Sequence, residues 1–130
     1  MQAAFEPKPV EALYNVEQDF YETKNLATDP QYKKELLSLR KELQDTLQSL
    51  PDLGFYPEPY LVNQATESPI QFGQQHKQDL LLLSQIADLQ LLSFEQAQAK
   101  MVKALTSEND WQRYWGLNVA LSFKRSTLTC

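Results

Sequence analysis

Residues 29–51 read DPQYKKELLSLRKELQDTLQSLP, and their pattern is the clearest structural signal in the chain. The apolar side chains recur at steps of three or four and form one stripe, which consists of Tyr32, Leu36, Leu39, Leu43, Leu47 and Leu50. This spacing is typical of an amphipathic helix of about five turns. Asp29 can cap the first turn, Pro30 suits the first helical position, and Pro51 ends the helix. We therefore expect a long helix near residues 30–50.

Downstream of this helix, residues 51–72 combine four prolines and Gly54 with four aromatic residues, Phe55, Tyr56, Tyr60 and Phe72. Four aromatic side chains are costly to expose together, so we expect an ordered loop that packs them. One helix is predicted over residues 74–91. Another is predicted from Ser93, which has capping-box spacing with Gln96 and is followed by Ala97, Met101 and Leu105 at steps of four.

A last helix is predicted over residues 111–123, and its apolar residues lie on two sides. One side holds Trp111, Trp115, Val119 and Phe123, and the other holds Tyr114, Leu117 and Leu121. A helix that is apolar on two sides needs neighbours on both. Because the given sequence ends shortly afterwards, we expect one neighbour to lie outside it. We also expect the isolated chain to self-associate or to bind hydrophobic probes.

Upstream of residue 29, the sequence predicts less regular structure. Residues 5–9, FEPKP, are expected to be extended because of their prolines. Residues 12–16 alternate weakly and contain Tyr14 and Val16, which favours a short strand. Residues 19–25 are predicted to form a polar turn. The expected fold class is therefore mostly α with a short N-terminal β element.

Composition and charge exclude some classes of function. The chain has 130 residues, and 17 Asp and Glu against 12 Lys and Arg give a net charge of −5. We expect no nucleic acid partner, because phosphate binding needs a basic surface. Residues 80–92 are too short and too polar to span a membrane, and residues 1–9 lack the apolar segment of a signal peptide. Cys130 is the single cysteine, so an intramolecular disulfide is excluded.

Residues 13–27, LYNVEQDFYETKNLA, resemble a segment in the C-terminal subdomain of arylsulfatase-type sulfatases. That segment typically has Leu-Tyr-Asp-Leu, two residues, Asp-Pro, one residue, Glu, two residues and Asn-Leu. The matching residues are Leu13, Tyr14, Asp19, Glu22, Asn25 and Leu26. Asn15 stands where the family usually has Asp, and Phe20 where it usually has Pro. The polar residues of this pattern are expected to bond backbone groups in a tight turn, which is a structural role.

The resemblance implies that residues 1–62 form a segment like the sulfatase C-terminal subdomain, with a strand, a turn and a long helix. It also implies a parent enzyme that hydrolyses sulfate esters or sulfamates on carbohydrates and that is exported. The family forms its formylglycine nucleophile in a Cys/Ser-x-Pro/Ala-x-Arg motif beside a calcium ion. No complete motif of this kind occurs within the given 130 residues, because Cys130 is the last of them and Ser68-Pro69-Ile70 has proline one position early.

We therefore expect no catalytic, cofactor-binding or metal-binding residues in this chain. The calcium ion and the formylglycine would belong to a catalytic domain outside the given sequence, and that domain would be the partner of this chain. The chain alone is expected to be inactive, and the sequence leaves its own localisation open. The expected function is that of a non-catalytic C-terminal fragment of a sulfatase.

Residues 103–117, KALTSENDWQRYWGL, resemble a helical repeat of the HEAT type, with a helix, a Ser/Asn/Asp turn, an Arg and an apolar second helix. Some bacterial sulfatases have helices of this kind after the core. The resemblance implies a second, helical segment over residues 63–130. It also leaves an alternative open, which is a free-standing helical module that binds another protein.

Three isolated features could suggest sites, but each has a simpler explanation. His76 is the single histidine and has no second ligand nearby in sequence, so a solvated helix position is expected rather than a metal ligand. Trp111 and Trp115 could stack on a sugar or a base, but their helical spacing favours core packing. The charged residues between Lys33 and Glu42 are expected to form a solvated face.

Overall fold

The computed structural model describes the backbone of residues 8–127 and the side chains of residues 8–124. It is mostly helical, as the sequence predicts. The α-helices among these residues are α1 (Lys33–Ser49), α2 (Glu58–Gln64), α3 (Pro69–Gln75), α4 (Lys77–Ala87), α5 (Phe94–Leu105) and α6 (Asp110–Thr127). Short 3-10 turns occur at Pro30–Tyr32, Leu53–Phe55 and Asp88–Leu91.

The chain divides into two compact units, Met1–Thr46 and Leu47–Cys130. We call them the N-terminal unit and the C-terminal unit. The family resemblance predicts a different boundary, between residues 62 and 63. That boundary refers to the domains of related proteins, and it stays a prediction. Residues 5–7 of the expected extended segment, and Cys130, lie outside the described residues.

The predicted strand over residues 12–16 is absent from the described part of the chain, so the expectation of a short β element was wrong. A strand needs the main chain of a neighbour along several residues. Here Leu13 finds a single main-chain partner, Leu26, whose N–H donates to the Leu13 carbonyl at 2.8 Å. The Leu13 N–H donates instead to the side chain of Asn25. The segment is therefore irregular, and the Asn25 side chain accepts the N–H that a second strand would accept in a sheet.

The predicted long helix is confirmed, and its start has the expected chemistry. Asp29 caps the 3-10 turn, since its Oδ1 accepts the Gln31 N–H at 2.9 Å, and α1 follows directly. The helix ends at Ser49, two residues before Pro51. None of its residues is buried, and Leu39 and Leu43 of the apolar stripe are 53% and 59% exposed.

The C-terminal unit has a core formed by two groups of buried side chains. One group joins α4, α5 and α6 and consists of Ile86, Leu89, Ala97, Met101, Ala104 and Val119. The other joins the aromatic segment to α4 and consists of Tyr56, Ala65, Phe72, Leu80 and Leu83. Trp115 packs against both groups and therefore links them. The aromatic residues of the segment 51–72 are packed, as predicted.

Two helix boundaries differ from the sequence prediction. The expected loop over residues 51–72 contains α2, and α3 begins at Pro69, where Ser68 accepts the Gln71 N–H. The expected single helix over residues 74–91 is interrupted at His76, whose φ of −102° and ψ of 13° end α3 before α4 begins. Proline suits the first turn of a helix, so the prolines here start short helices rather than prevent them.

The two predicted C-terminal helices are confirmed. Ser93 forms the expected capping box: its Oγ accepts the Gln96 N–H, and the Gln96 side chain accepts the Ser93 N–H. α5 and α6 form a hairpin in which Gly116 lies against the backbone of Leu105. In the described part of the chain, we find no helix whose length and apolar character would allow it to cross a membrane.

Candidate functional site

The sulfatase-like segment forms a turn around the side chain of Asn25. Its Oδ1 accepts two backbone N–H groups, from Leu13 and from Ala27, each at 3.0 Å. Its Nδ2 donates to the carbonyl of Glu11 at 3.3 Å. One amide side chain therefore joins both ends of the segment, which explains why an Asn is needed at this position.

Asp19 organises the middle of the same turn. Its Oδ2 accepts the Lys24 N–H at 2.7 Å, and its Oδ1 accepts the Thr23 hydroxyl at 2.9 Å. The backbone hydrogen bond from Lys24, followed by that from Thr23, holds the pKa of the Asp19 carboxyl below its usual value of 3.8. The first part of the turn is closed by the main-chain carbonyl of Asn15, which accepts the Gln18 and Asp19 N–H groups. The predicted structural role of Asp19 and Asn25 is confirmed.

Glu22 contributes through its backbone, which has a φ of 52° in the left-handed region. A non-glycine residue adopts this conformation only where the surrounding contacts impose it. Next to it, Phe20 and Tyr21 form an edge-to-face pair with ring centroids 5.3 Å apart. Both rings face solvent, with 80% and 83% of their surface exposed. The turn thus presents two aromatic side chains outward, which the sequence prediction did not anticipate.

An ion pair in the N-terminal unit was also missed. Arg40 donates to Glu11 in two parallel bonds, Nε to Oε2 at 3.1 Å and Nη2 to Oε1 at 2.5 Å. The expected solvated face is therefore wrong for Arg40, which is only 26% exposed. Arg40 lies four residues after Leu36 and therefore borders the apolar stripe of the helix. This position was the one indication in the sequence that Arg40 is partly buried. Lys41 lies on the expected solvated face and forms an exposed pair with Asp45 at 2.7 Å.

The N-terminal unit has almost no core of its own. Among its described residues, Leu26 is the one buried hydrophobic side chain. Several large apolar side chains are exposed instead: Val10, Val16, Phe20, Tyr21, Leu37, Leu39 and Leu43. Its order comes from the hydrogen bonds of Asn25 and Asp19 and from the pair between Arg40 and Glu11. Hydrogen bonds add little net stability, so a unit of this kind needs another surface to bury its apolar residues.

In the C-terminal unit, the notable side-chain cluster is aromatic. Tyr56 lies at its centre and is 4% exposed, with Tyr60, Phe72, His76 and Trp111 around it at centroid distances of 5.2 to 6.2 Å. Burial raises the pKa of Tyr56 to about 12, and the negative charge of Asp79 adds to the shift. A phenol with this pKa is neutral at pH 7 and has a structural role.

His76 belongs to this cluster, so its expected solvated position was wrong. Its ring stacks on Phe72 at 4.0 Å, and Nδ1 lies 2.9 Å from the Phe72 carbonyl. The predicted core packing of the two tryptophans is confirmed. Trp115 Nε1 donates to the Phe55 carbonyl at 2.8 Å, and the Trp111 ring lies 4.7 Å from that of Tyr60.

In the described part of the chain, no three His, Cys, Asp or Glu side chains come close enough to hold a metal ion. Ser68 is a helix cap, and its Oγ accepts the Gln71 N–H. The expectation that cofactors and metals bind elsewhere stays a prediction. The features with functional potential are the exposed apolar surfaces of the N-terminal unit and of α6.

The comparisons with known proteins agree with the resemblance in part of the chain. A segment of 56 residues is 43% identical to an ulvan-active sulfatase of Formosa agariphila, and this segment is 43% of the present chain and 9% of that sulfatase. No family model matches the chain, and no solved structure matches it. The chain therefore contains a sulfatase-related region.

Proposed function

We propose that this chain is a non-catalytic C-terminal part of an arylsulfatase-type sulfatase. The complete enzyme would hydrolyse sulfate esters or sulfamates on carbohydrates. Two facts support the proposal: the matched segment of 56 residues and the motif around Asp19 and Asn25. The carbohydrate substrate is suggested by the relative, which is described as active on ulvan. The calcium ion and the formylglycine would lie in the catalytic domain, and the whole protein would be exported.

The structural observation that supports a partner domain is the small core of the N-terminal unit. Leu39 and Leu43 are 53% and 59% exposed on one side of α1, and Phe20 and Tyr21 are more exposed still. Burying a leucine side chain contributes about 2 kcal/mol, so these residues together favour a partner surface. A catalytic domain would supply that surface. Within the whole protein, α5 and α6 would be trailing helices of the HEAT type.

The proposal is tested on the native protein. An antibody raised against the C-terminal unit isolates the natural polypeptide from its source, and mass spectrometry of tryptic peptides gives its sequence. We expect a mass well above 15.0 kDa and peptides upstream of Met1 that include a Cys/Ser-x-Pro/Ala-x-Arg motif. A natural polypeptide of 15.0 kDa would refute the proposal.

A second measurement concerns the purified chain. We expect no turnover of 4-nitrophenyl sulfate at any calcium concentration, because the nucleophile motif is absent from the sequence. Hydrogen exchange should be slower in α4 and α6 than in residues 8–28, because the core lies in the C-terminal unit. Calcium-dependent turnover by the pure chain would contradict the proposal.

The alternative function is a free-standing helical module that binds another protein. One observation favours it: the C-terminal unit has its own core, and α6 exposes Tyr114, Leu117 and Leu121 on the side that faces away from that core. The same mass measurement separates the two functions, because a free-standing module would be isolated at 15.0 kDa without a sulfatase motif.

A further inference from the structure

The outer face of α6 is unusually regular. From Asp110 to Lys124 the exposed positions are Asp110, Tyr114, Leu117, Leu121 and Lys124, and the other side chains of this stretch are half-buried or buried. These five positions follow one another at steps of four, three, four and three. Such alternation is the spacing of a coiled-coil seam, in which one residue of each step packs into a facing helix.

The opposite face of α6 is already in use. Val119 is fully buried, and Gly116 lies directly against Ala104 and Leu105 of α5. At the start of the helix, Arg113 pairs with Asp110 and donates through Nη1 to the Ser107 carbonyl at 2.6 Å. The helix is therefore held from the inside, and its exposed stripe is presented in one orientation. A stripe of this shape fits a second helix rather than a small ligand.

The order of residues along the stripe indicates which helix fits. The stripe begins with an acidic residue, continues with Tyr114, Leu117 and Leu121, and ends with a basic residue. Leu117 lies midway between Asp110 and Lys124. A two-fold axis that passes near Leu117 would place the acidic end of each helix opposite the basic end of the other. The face is therefore complementary to a second copy of itself in the antiparallel direction.

We propose that the outer face of α6 is a dimer interface, where two copies of this chain pack antiparallel around Leu117. The three apolar side chains supply the buried surface, and they are 43% to 56% exposed in the single chain. The charged ends set the direction, because a parallel pair would bring like charges together. Antiparallel helices also align their dipoles favourably.

The oligomeric state of the full chain tests this interface. Sedimentation velocity across a concentration series, in reducing buffer so that Cys130 forms no crosslink, should show a monomer–dimer equilibrium. Leu117→Asp removes two leucine side chains per dimer and should raise the dissociation constant by about a hundredfold, since each lost leucine is worth about tenfold. The matched control is Ile70→Asp on α3, at a position that is 81% exposed. It should leave the dissociation constant unchanged.

A wild-type chain that stays monomeric at every concentration would overturn the proposal, as would a dimer that Leu117→Asp leaves intact. Circular dichroism at 222 nm shows whether each variant retains its helices. The expectation is unchanged helicity, because Leu117 is exposed in the single chain.

A charge exchange tests the direction of the two helices. Asp110→Lys alone and Lys124→Asp alone should each weaken the dimer about tenfold, because each leaves like charges opposite one another. The double variant reverses both ends and should recover most of the affinity. If the double variant is as weak as the single variants, the antiparallel arrangement is wrong.

Discussion

The side chain of Asn25 binds the backbone of Leu13 where a β-strand would otherwise do so. Asn25 Oδ1 accepts the Leu13 N–H at 3.0 Å, while the next residue, Leu26, donates its own N–H to the Leu13 carbonyl at 2.8 Å. Both polar groups of Leu13 are thus satisfied without a sheet. This arrangement gives the sulfatase-like motif a physical meaning, because its Asn-Leu pair supplies one side-chain bond and one main-chain bond.

The first prediction concerns Asn25→Ala. The variant loses the bonds to Leu13, Ala27 and Glu11, each worth about 1 kcal/mol. We expect the amides of Leu13 and Ala27 to exchange with solvent roughly tenfold faster or more, as native-state hydrogen exchange can measure. The control is Asn63→Ala, where the side chain bonds its own helix at Pro59. Unchanged exchange at Leu13 in Asn25→Ala would show that the bond contributes nothing.

The second prediction concerns the pH dependence of the same turn. Because the pKa of Asp19 is lowered in the folded chain, the ionised carboxylate stabilises the turn above its usual pKa of 3.8. That contribution is lost as the pH falls through the lower, folded value. We expect the backbone amide resonance of Lys24 to titrate with an apparent pKa below 3.8. Asp19→Asn should abolish this titration, and a midpoint above 3.8 would contradict the prediction.

How much of this arrangement the sequence could predict depends on the range of the interactions. The helix over residues 30–50 and the capping box at Ser93 depend on neighbours three or four positions away, and both were predicted. The pair between Arg40 and Glu11 joins residues 29 positions apart, so periodicity gives no information about it. The predicted strand was wrong for a related reason, since strand propensity says nothing about whether a partner strand exists.

In the C-terminal unit, the tryptophans and the histidine show the same limit. Helical spacing predicted that Trp115 is packed, but only the structure gives its bond to Phe55, 60 positions earlier in the chain. His76 was expected at a solvated helix position because the sequence offers it no second metal ligand nearby. Its ring stacks on Phe72, four positions earlier, at the residue where the backbone ends α3 before α4 begins.

The third prediction concerns Trp115→Phe. The phenyl ring keeps much of the packing but lacks the indole N–H, so the Phe55 carbonyl loses its donor. The hydrogen bond is only partly buried, so its loss costs about 0.5–1.5 kcal/mol, and we expect a loss in this range in urea unfolding monitored by circular dichroism. Trp111→Phe is the control, because it makes the same reduction in ring size at a position that packs against Tyr60. Equal losses in the two variants would exclude a specific contribution from the indole bond.

The fourth prediction concerns Gly116→Ala. A Cβ atom at this position would lie 3.1 Å from the Leu105 nitrogen and 3.2 Å from the Ala104 Cβ, closer than the backbone of α5 allows. In a helix, alanine is more favourable than glycine by about 1 kcal/mol, but crowding against α5 lowers the free energy of unfolding by about 1–3 kcal/mol. We therefore expect net destabilisation by roughly 1 kcal/mol and a lower melting temperature.

Gly73→Ala is the matched control for this variant. Its Cβ would meet only side-chain atoms of Pro51 and Leu53, at 3.3 Å and beyond, and the position lies inside α3. We expect its melting temperature to equal or exceed that of the wild type, because these side chains can move and alanine suits a helix. If Gly116→Ala is as stable as Gly73→Ala, the close approach of α5 and α6 does not limit stability.

The fifth prediction concerns Tyr56 at alkaline pH. Its pKa of about 12 lies above the ordinary value of 10.0, so the folded chain favours the neutral phenol. The contribution of the neutral Tyr56 to the free energy of unfolding is fully present below pH 10.0 and is lost as the pH rises towards 12. Absorbance at 295 nm should therefore show one tyrosine that ionises near pH 12, together with unfolding of the C-terminal unit. In Tyr56→Phe this late step should be absent. A folded wild type without this late step would mean that Tyr56 ionises near its ordinary value of 10.0 and is open to solvent, and the aromatic cluster could not then form the core described for the C-terminal unit.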